Sequence, residues 1–263
     1  EGRLSALEVQ GPEGCYVLPA QEAVLALGNS ARDTFEMLHA AGVPMEPKPL
    51  AVGVRIEHLQ KDMDAVQYKA QAGHPRLGAA SYKLSCHLES GRSVFSFCVC
   101  PGGTVVAAAS EADRAVTNGM SLYARDGENI NGGLLVSVTP EDFLGDDPLA
   151  GIAFQRELEA HAYAAGGGGY IAPAQRVGDF LAHRPSTGPG KVTPTYRPGV
   201  RWCDLWEVLP PFICEALAQA LPLLEQKVHG FAQEDAVLTA VESRSSCPLR
   251  ILRSEAGESA VRG

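Results

Sequence analysis

The chain has 263 residues, of which 45% are hydrophobic, and a formal net charge of -9 at pH 7. This length suffices for one large domain or two modest ones with a hydrophobic core. The acidic charge, without any cluster of basic residues, argues against a nucleic-acid-binding protein. The apolar runs are too short to span a membrane, and nothing resembling a signal peptide follows Glu1.

The cysteine count and the first residue bear on where the protein acts. Seven scattered cysteines, an odd number, argue against a secreted disulfide framework and fit a reducing cytoplasm best. The chain begins with Glu1 instead of Met. We therefore expect a cytoplasmic protein, and a fragment or a processed product of a longer one, that binds neither nucleic acid nor a membrane.

The N-terminal part predicts short strands. Leu4–Val9 and Tyr16–Leu18 are expected strands joined at the turn Gly11–Gly14. Ala23–Leu27, with the sequence AVLAL, is a short continuous apolar run, which predicts a buried strand.

A helix is expected directly after this run, from Ala31. Asn29 or Ser30 is the predicted cap, and Gly42 lies where the helix is expected to end. A strand followed by the turn at Gly28 and a capped helix can present backbone N–H groups to an anion, but it is also an ordinary structural connection.

The rest of the chain predicts an α+β protein. The pattern predicts strands and helices that do not alternate regularly, with an extended loop rich in proline and glycine. The expected strands are Leu50–His58, Ala79–Ser85, Ala236–Glu242 and Leu249–Arg253; the expected helices are Asp62–Tyr68, Leu149–Ala165, Asp204–Ala220 and Leu223–Phe231; the expected loop is His183–Gly199. We expect a mixed or antiparallel sheet with hairpins and a helical subdomain.

The stretch from Phe95 to Gly133 is chemically the most distinctive. Apolar residues alternate with Ser96, Cys98 and Cys100, which is the period of a strand and places both thiols on one face. The following Pro-Gly-Gly turn and Thr104–Val106 predict a hairpin with the two thiols near its tip.

Three roles are open for Cys98 and Cys100. They can be small buried hydrophobic residues, a redox-active or substrate-facing pair of thiols, or metal ligands. A disulfide between residues i and i+2 of a strand would be strained, since their alpha carbons lie roughly 6.5–7 Å apart. A metal site would need Cys86 and His87 as well, and the chain has no C-x-x-C pair.

A polar, turn-rich segment follows the predicted hairpin. It is either a solvated loop or a wall of hydrogen-bonding groups around a polar ligand. Its polar residues are Glu111, Asp113, Arg114, Asn118, Arg125, Asp126, Asn129 and Asn131.

Two further patterns are weaker. Gly167-x-Gly169-x-x-Ala172 fits the loose dinucleotide-binding pattern, but a predicted helix precedes it and Pro173 follows, so we reject that interpretation. Arg244, Arg250 and Arg253 near the last strands can grip a phosphate or carboxylate, or be solvated charges at a strand edge.

Six motifs in order resemble a known family. They are VLALGNSARDTFEML, EPKPLAVGVRIEH, FSFCVCPGGTVVAAASE, TNGMSLYARDGENIN, TPTYRPGV and FAQEDAVLTAVESRSSCPLRI. The set resembles the bacterial and plastid FAD-dependent oxidoreductases often labelled uncharacterised NAD(FAD)-utilising dehydrogenases. The resemblance covers nearly the whole chain and is closest to the C-terminal domain of that family, which is inserted within the FAD-binding fold.

The resemblance implies FAD as the cofactor of the complete protein. In the family, an N-terminal G-x-G-x-x-G binds the FAD pyrophosphate and a late segment beginning GEGAGYAGG closes over it. Neither motif is present here. We therefore expect a chain that lacks the main Rossmann phosphate-binding segment and is inactive alone.

The resemblance also assigns residues to the cofactor side. Its turn AxGHSARDT matches Gly28, Ser30 and Arg32, with Asn29 in place of the usual histidine. Its strand RTSSPVRI, on the flavin side, matches Arg244, Ser245, Pro248 and Arg250, with Cys247 where serine is common.

The substrate side is assigned through the turn CPGG. This turn matches Cys100, Pro101, Gly102 and Gly103, and it implies that Gly102 and Gly103 face the flavin. Cys98 and Cys100 would line the substrate side and are the candidate catalytic residues. Arg244 or Arg250 would stabilise an anionic flavin or substrate.

The resulting hypothesis is the substrate-side domain of a FAD-dependent dehydrogenase. Residues 1–48 and 236–263 would belong to the edge of the FAD-binding fold, and 49–235 would form the substrate-side domain. The expected partners are a small-molecule substrate and a nicotinamide nucleotide or another electron partner. Two alternatives stay open: a non-catalytic binding module that does not bind FAD by itself, and thiol redox chemistry through Cys98 and Cys100.

Overall fold

The computed structural model describes residues 2–143 and 147–263. The strands are β1 (Ala6–Gly11), β2 (Gly14–Pro19), β3 (Met45–Pro47), β4 (Leu50–Leu59), β5 (Ser85–His87), β6 (Ser93–Cys100), β7 (Gly103–Ala107), β8 (Thr117–Ser121), β9 (Asn129–Val138), β10 (Ala172–Arg176), β11 (Val200–Trp202), β12 (Val237–Glu242) and β13 (Leu249–Ile251). The α-helices are α1 (Arg32–Ala40), α2 (Gln60–Tyr68), α3 (Ala150–Gly166), α4 (Val177–Leu181) and α5 (Pro211–Glu225). Short 3-10 turns lie at Lys69–Gln71, Pro140–Asp142 and Leu205–Glu207. The predicted α+β class is confirmed.

The chain forms two compact units. The first consists of Glu1–Pro49, Thr139–Ala153 and Ser246–Gly263, and the second of Leu50–Val138 and Phe154–Ser245. The assignment of 1–48 and 236–263 to a FAD-binding fold and of 49–235 to a substrate-side domain stays a prediction.

A seven-stranded sheet forms the second unit, in the order β11-β10-β12-β4-β9-β6-β5. All its neighbours are antiparallel except β10 and β11, which are parallel. The central strand β4 is buried along all ten of its residues. This explains the continuous apolar run at its start, Leu50–Val54, whereas its second half buries the ionisable Arg55, Glu57 and His58.

The two faces of β4 meet different elements. Side chains of a strand alternate between the faces, so Arg55 and Glu57 lie on one and Ile56 and His58 on the other. His58 Nε2 lies 2.7 Å from the carbonyl oxygen of Phe231, shortly after α5. Arg55 donates to Asn118 of β8. The antiparallel ribbon of β7 and β8 therefore covers the face that carries Arg55.

Helix α5 differs from the prediction of two helices. Asp204–Ala220 and Leu223–Phe231 were expected to be separate, but a single helix starts at Pro211 and continues through Pro222. Its apolar face is buried along its whole length, from Ile213 to Leu224. That burial outweighs the hydrogen bond which Pro222 cannot donate.

The first unit contains two small antiparallel pairs, β1 with β2 and β3 with β13. The first pair confirms the predicted N-terminal hairpin. Helix α1 contributes Phe35 to a small core with Met45, Ile152 and Leu249. The helix begins close to the predicted position, but Ala31 occupies the N-cap and no side chain caps it, so the predicted cap at Asn29 or Ser30 is wrong.

The predicted buried strand Ala23–Leu27 is also wrong. The segment has no regular structure, and Val24 and Leu25 are 92% and 50% exposed. A strand needs a neighbouring strand for its backbone groups, and none of the strands in the described residues pairs with this segment. The sequence of the segment favours a strand, but residues 2–143 and 147–263 contain no neighbouring strand that pairs with it.

Two predictions near the thiols are wrong as well. Strand β6 pairs with β5 and β9, and β7 pairs with β8, so no hairpin joins the segments before and after Pro101. The predicted strand Ala79–Ser85 is absent up to Leu84. The reason is local: the N–H of Ala80 donates to Asp64 Oδ1 at 2.7 Å and its carbonyl accepts from Gln60 Nε2 at 3.0 Å, so side chains take the place of a partner strand.

The remaining predicted elements are confirmed within a few residues at their ends. They are the strands now seen as β4, β12 and β13, the helices α2 and α3, and the extended loop His183–Gly199. Within the described ranges, no helix is both long and apolar enough to cross a membrane.

We predict that Gly53→Ala destabilises the second unit by about 3 kcal/mol, because a Cβ there would overpack the sheet. That atom would lie 2.0 Å from the carbonyl oxygen of Leu134 on the neighbouring strand β9. Urea unfolding followed by circular dichroism measures the change.

The matched control is Gly188→Ala, where no heavy atom lies within 4 Å of an added Cβ. It should change the free energy of unfolding by less than about 1 kcal/mol. Equal effects of the two substitutions would contradict the proposed backbone collision.

Candidate functional site

A layer of buried polar side chains lies on the Arg55 face of the sheet in the second unit. Its members are less than 4% exposed, and charged residues are rarely buried so completely unless they are paired. They are Arg55, Glu57, Thr117, Asn129, Asn131, Thr239 and Glu242. We call this set the polar layer.

Arg55 is the centre of the polar layer. Its Nη1 donates to the carbonyl oxygen of Cys98 at 2.7 Å and to Asn131 Oδ1 at 3.1 Å. Its Nη2 donates to Asn118 Oδ1 and Glu242 Oε1, both at 3.0 Å. Its Nε forms an ion pair with Glu242 Oε2. The guanidinium thus donates four hydrogen bonds through its two Nη atoms, while its Nε has only the ion-pair contact with Glu242.

Glu57, two residues further along β4, has only neutral partners. Its Oε1 accepts from Thr195 Oγ1 at 2.6 Å, from the Thr195 N–H at 3.1 Å and from Asn129 Nδ2 at 3.1 Å. These bonds attach the loop that contains Thr195 to the sheet. They also satisfy a carboxyl group that has no contacting cation.

The polar layer buries two carboxyl groups, Glu57 and Glu242, but only one guanidinium, Arg55, and this shifts the pKa values of both carboxyl groups. Burial raises the pKa of Glu242 to about 7, although the charge and hydrogen bonds of Arg55 oppose the shift. Burial also raises the pKa of Glu57, against the hydrogen bonds from Thr195 and Asn129. The polar layer can therefore hold a proton near neutral pH.

Cys98 and Cys100 do not share a face as predicted. The pairing of β6 with β9 shifts between Phe97 and Cys100, and Cys98 has a φ of 44°, which interrupts the alternation. Cys98 is exposed, whereas Cys100 is buried and its Sγ lies 3.3 Å from the Cys98 carbonyl oxygen. Arg55 holds that same carbonyl, so the bulge is fixed from inside the sheet.

Gly102 and Gly103 allow backbone segments to approach closely. Gly102 has a φ of 53°, and a Cβ there would lie 2.0 Å from the carbonyl oxygen of Arg125. Its N–H donates to Gln60 Oε1 at 2.7 Å. A Cβ on Gly103 would lie 2.5 Å from the carbonyl oxygen of Met120. The cofactor-facing role of these two glycines stays a prediction.

All seven cysteines are free thiols. In the part of the chain that the structure describes, no group of three or more His, Cys, Asp or Glu side chains could hold a metal ion.

Arg244 and Ser245 contact other protein groups of the second unit. Arg244 makes two bonds to the Glu159 carboxylate, Nε to Oε1 at 3.0 Å and Nη2 to Oε2 at 2.9 Å. Glu111 lies 3.7 Å from its Nη2. Ser245 Oγ donates to the carbonyl oxygen of Ala51 at 2.6 Å. The Arg244 guanidinium is thus already committed to a buried carboxylate.

The other predicted cofactor residues lie in the first unit. Gly28, with a φ of 72°, lines an open cleft of about 430 Å³. Arg32 is buried, and Ser30 Oγ lies 3.3 Å from Asn29 Oδ1. The carbonyl oxygen of Pro248 accepts from the Lys48 N–H at 2.8 Å, and Arg250 pairs with Glu46 at 2.8 Å.

The lining of this cleft decides which part of FAD it fits. It is mainly apolar and contains no basic side chain: Leu25, Ala26, Leu27, Gly28, Asn29, Phe35, Cys247 and Ile251. Such a surface can contact a flat aromatic ring. A pyrophosphate is usually bound by several N–H donors together with cations, and this lining contains no cationic side chain.

The polar segment of the sequence divides between its two interpretations. Asn118, Asn129 and Asn131 belong to the Arg55 network or bond Glu57, and Glu111 pairs with Arg156 at 2.7 Å. Of its other members, Asp113, Arg125 and Asp126 are exposed. Arg114 is half-buried, and its Nη1 donates to the carbonyl oxygen of Asp113 at 3.0 Å.

Arg55, Glu57 and Glu242 were not predicted as site residues from the sequence. A signal was present, because Arg and Glu stand inside the otherwise apolar runs VGVRIEHL and VLTAVE. Charges in a continuously buried strand require partners, and that is the pattern by which such a site can be found.

Comparison with protein-family models matches residues 49–245 to the family described as FAD-dependent protein, C-terminal domain-like. The chain belongs to this family, and the resemblance derived from the sequence motifs is confirmed. The matched range contains the whole polar layer.

An uncharacterized protein of Clostridium beijerinckii is 46% identical to the chain over 260 residues. The alignment covers 98% of this chain and 48% of that protein. The chain thus spans about half the length of the curated relative it matches.

We predict that Glu242 gives the folded protein a measurable dependence of stability on pH. Because its pKa is about 7 in the folded chain and about 4.3 in an unfolded one, the folded state binds the proton more tightly. Its contribution is therefore present at low pH and is lost as the pH rises toward 7. His58, whose pKa burial lowers to about 4, acts in the opposite direction, so the variant must be compared with the wild type.

Urea unfolding of the wild type and of Glu242→Gln at about pH 5 and about pH 7.5 measures the contribution of Glu242 to the free energy of unfolding. Relative to the variant, the wild type should lose on the order of 2–3 kcal/mol over that range. Glu215→Gln, at an exposed position in α5, is the control and should keep the wild-type dependence. Parallel pH profiles for Glu242→Gln and the wild type would refute the assignment.

We also predict that the thiols differ widely in alkylation by iodoacetamide. The exposed Cys98 and Cys15 should react, and the buried Cys86, Cys100 and Cys214 should not. Burial raises the pKa of Cys214 to about 12, so at pH 8 about one molecule in ten thousand carries its thiolate.

Mass spectrometry of peptides resolves the sites, and protein unfolded in urea, where all seven cysteines should react, is the control. Labelling of Cys100 as fast as Cys98 would show that the bulge does not separate the two thiols.

Proposed function

We propose that this chain is the substrate-side part of a FAD-dependent oxidoreductase, a dehydrogenase in which the complete protein exchanges a hydride between FAD and a small-molecule substrate. The observation that carries the proposal is the family match over residues 49–245, since the matched range includes the buried polar layer. FAD supplies the redox chemistry when bound, and the protein supplies orientation and electrostatics.

The residues of the second unit have three tasks in this proposal. Arg55 fixes the carbonyl of Cys98 and thereby the shape of the Cys98–Gly103 segment. Cys98 presents an exposed side chain on the substrate side, while Cys100 packs inside. Glu242 holds or releases a proton near neutral pH beside the same segment.

The residues of the first unit would contact the cofactor ring. Leu25, Gly28 and Ile251 line the apolar cleft, and Ser30, Arg32, Pro248 and Arg250 belong to the same unit. We further propose that the exposed Ala23–Leu27 pairs with a strand of the complete protein, in which the FAD pyrophosphate also finds its donors. The twofold greater length of the relative supports this proposal.

We propose a nicotinamide nucleotide as the electron partner. We also propose that the protein is located in the cytoplasm. The free state of all seven cysteines agrees with a reducing compartment.

A second candidate is a binding module without catalysis or independent FAD binding. The absence of basic side chains from the lining of the apolar cleft favours this function for the isolated chain. Isothermal titration of the FAD-depleted complete protein with FAD separates the two: tight binding would exclude the second candidate, and a folded complete protein without saturable binding would exclude the first.

We predict that the complete protein, expressed from its gene, is yellow and releases FAD on heating. Chromatography of the released chromophore against an FAD standard provides the measurement. The 263-residue chain, purified in the same way, should be colourless because it lacks the phosphate-binding donors. A complete protein that is folded but free of FAD, even after reconstitution with excess FAD, would refute the proposed function.

A further inference from the structure

A second cleft, of about 460 Å³, lies within the second unit, and none of the residues of the polar layer line it. Helix α2, the loop that follows it and the turn before β9 form its walls. The lining residues are Gln60, Lys61, Asp64, Tyr68, Gly73, His74, Pro75, Leu77, Gly78, Ala79, Arg125, Asp126, Gly127 and Glu128. Its volume falls within the usual range for small-molecule sites. We call it the α2 cleft.

The walls of the α2 cleft are joined through one buried amide. Gln60 Nε2 donates to Asp64 Oδ1 at 2.8 Å and to the carbonyl oxygen of Ala80 at 3.0 Å. Its Oε1 accepts from the Gly102 N–H at 2.7 Å. Its own N–H donates to the carbonyl oxygen of Glu128 at 2.8 Å. Helix, loop and turn are therefore held at fixed distances before any ligand binds.

Glycines bring the turn against the thiol segment. The Gly127 N–H donates to the carbonyl oxygen of Gly102 at 3.1 Å. A Cβ on Gly127 would lie 2.5 Å from that oxygen, so the two segments touch along their backbones. The α2 cleft and the Cys98–Gly103 segment thus share a common wall.

The charged side chains of the α2 cleft are not paired with one another. Among the described residues, Lys61 and Arg125 make no side-chain hydrogen bond or ion pair, and neither do the side chains of Asp126 and Glu128. Cations and carboxylates thus line one cleft without neutralising each other. This arrangement suits a ligand that carries an anionic group and separate hydrogen-bond donors.

An apolar surface completes the lining. Tyr68, Pro75 and Leu77 lie among the polar groups, and Leu77 is 41% exposed. Such residues can contact a flat ring. A free phosphate or an amino acid would contact only the charged side chains and would leave the apolar side chains of the cleft exposed to water. A nucleic-acid strand is disfavoured by the net charge of -9.

We propose that the α2 cleft binds a nucleotide. Lys61 and Arg125 bind its phosphate, Tyr68 and Leu77 contact its base, and Asp126 or Glu128 accepts from its ribose hydroxyls. This inference does not depend on FAD, because every residue involved belongs to the second unit.

Isothermal titration with AMP tests the proposal. We expect saturable binding that weakens by about tenfold in Lys61→Ala and in Arg125→Ala, the loss typical of a charge-assisted hydrogen bond. Lys69→Ala removes a cation just beyond α2 that does not line the cleft, and it should bind AMP like the wild type. Circular dichroism and urea midpoints show that each variant is folded.

Titrations with adenosine and with inorganic phosphate, and an NMR spectrum of the backbone amides, test whether the α2 cleft recognises the whole nucleotide. Adenosine should bind at least about tenfold more weakly than AMP, because it lacks the phosphate, and inorganic phosphate should bind more weakly still. AMP should shift the amide resonances of Gly102 and Gly127, which back the cleft. The proposal is overturned by the absence of saturable AMP binding, by wild-type affinity in both cleft variants, or by phosphate binding as tightly as AMP.

Discussion

The pair of Arg55 and Glu242 is the interaction on which the second unit depends. The two Nη atoms of Arg55 donate four hydrogen bonds, and their acceptors come from β12, β9, β8 and the bulge in β6. Its Nε adds the ion-pair contact with Glu242. One side chain therefore joins three strands of the sheet and the ribbon that covers them. Breaking a buried pair of this kind typically costs about 3–5 kcal/mol, since the remaining charge is left without a partner.

Such a layer is an expensive way to stabilise a sheet, because apolar side chains of similar size would often serve as well or better. A second carboxyl group, Glu57, adds to the cost, as only neutral groups contact it. Strain and uncompensated polar burial are concentrated at functional sites. Its cost and its position beneath the Cys98 bulge are what make the layer a candidate functional site.

Sequence predicted the parts that depend on local pattern. The fold class, β4, α3 and the family followed from periodicity and ordered motifs. The strand prediction for Ala23–Leu27 was wrong because a strand also needs a neighbouring strand, which a local pattern does not reveal. Two helices were predicted where α5 continues through Pro222, because burial of its apolar face outweighs one lost hydrogen bond. The bulge at Cys98 was missed because its cause, Arg55, is 43 residues away in sequence. Contacts between distant residues leave no periodic signal in a single chain.

Strand β4 and the first residue of α2 connect the two candidate sites of the second unit. Arg55 holds the carbonyl at one end of the Cys98–Gly103 segment, and Gln60 holds the N–H of Gly102 near the other. The side chains of Arg55 and Gln60 are both buried, so the segment has little freedom of its own. The α2 cleft and the Cys98 bulge therefore share one segment whose backbone is held from two sides by buried side chains.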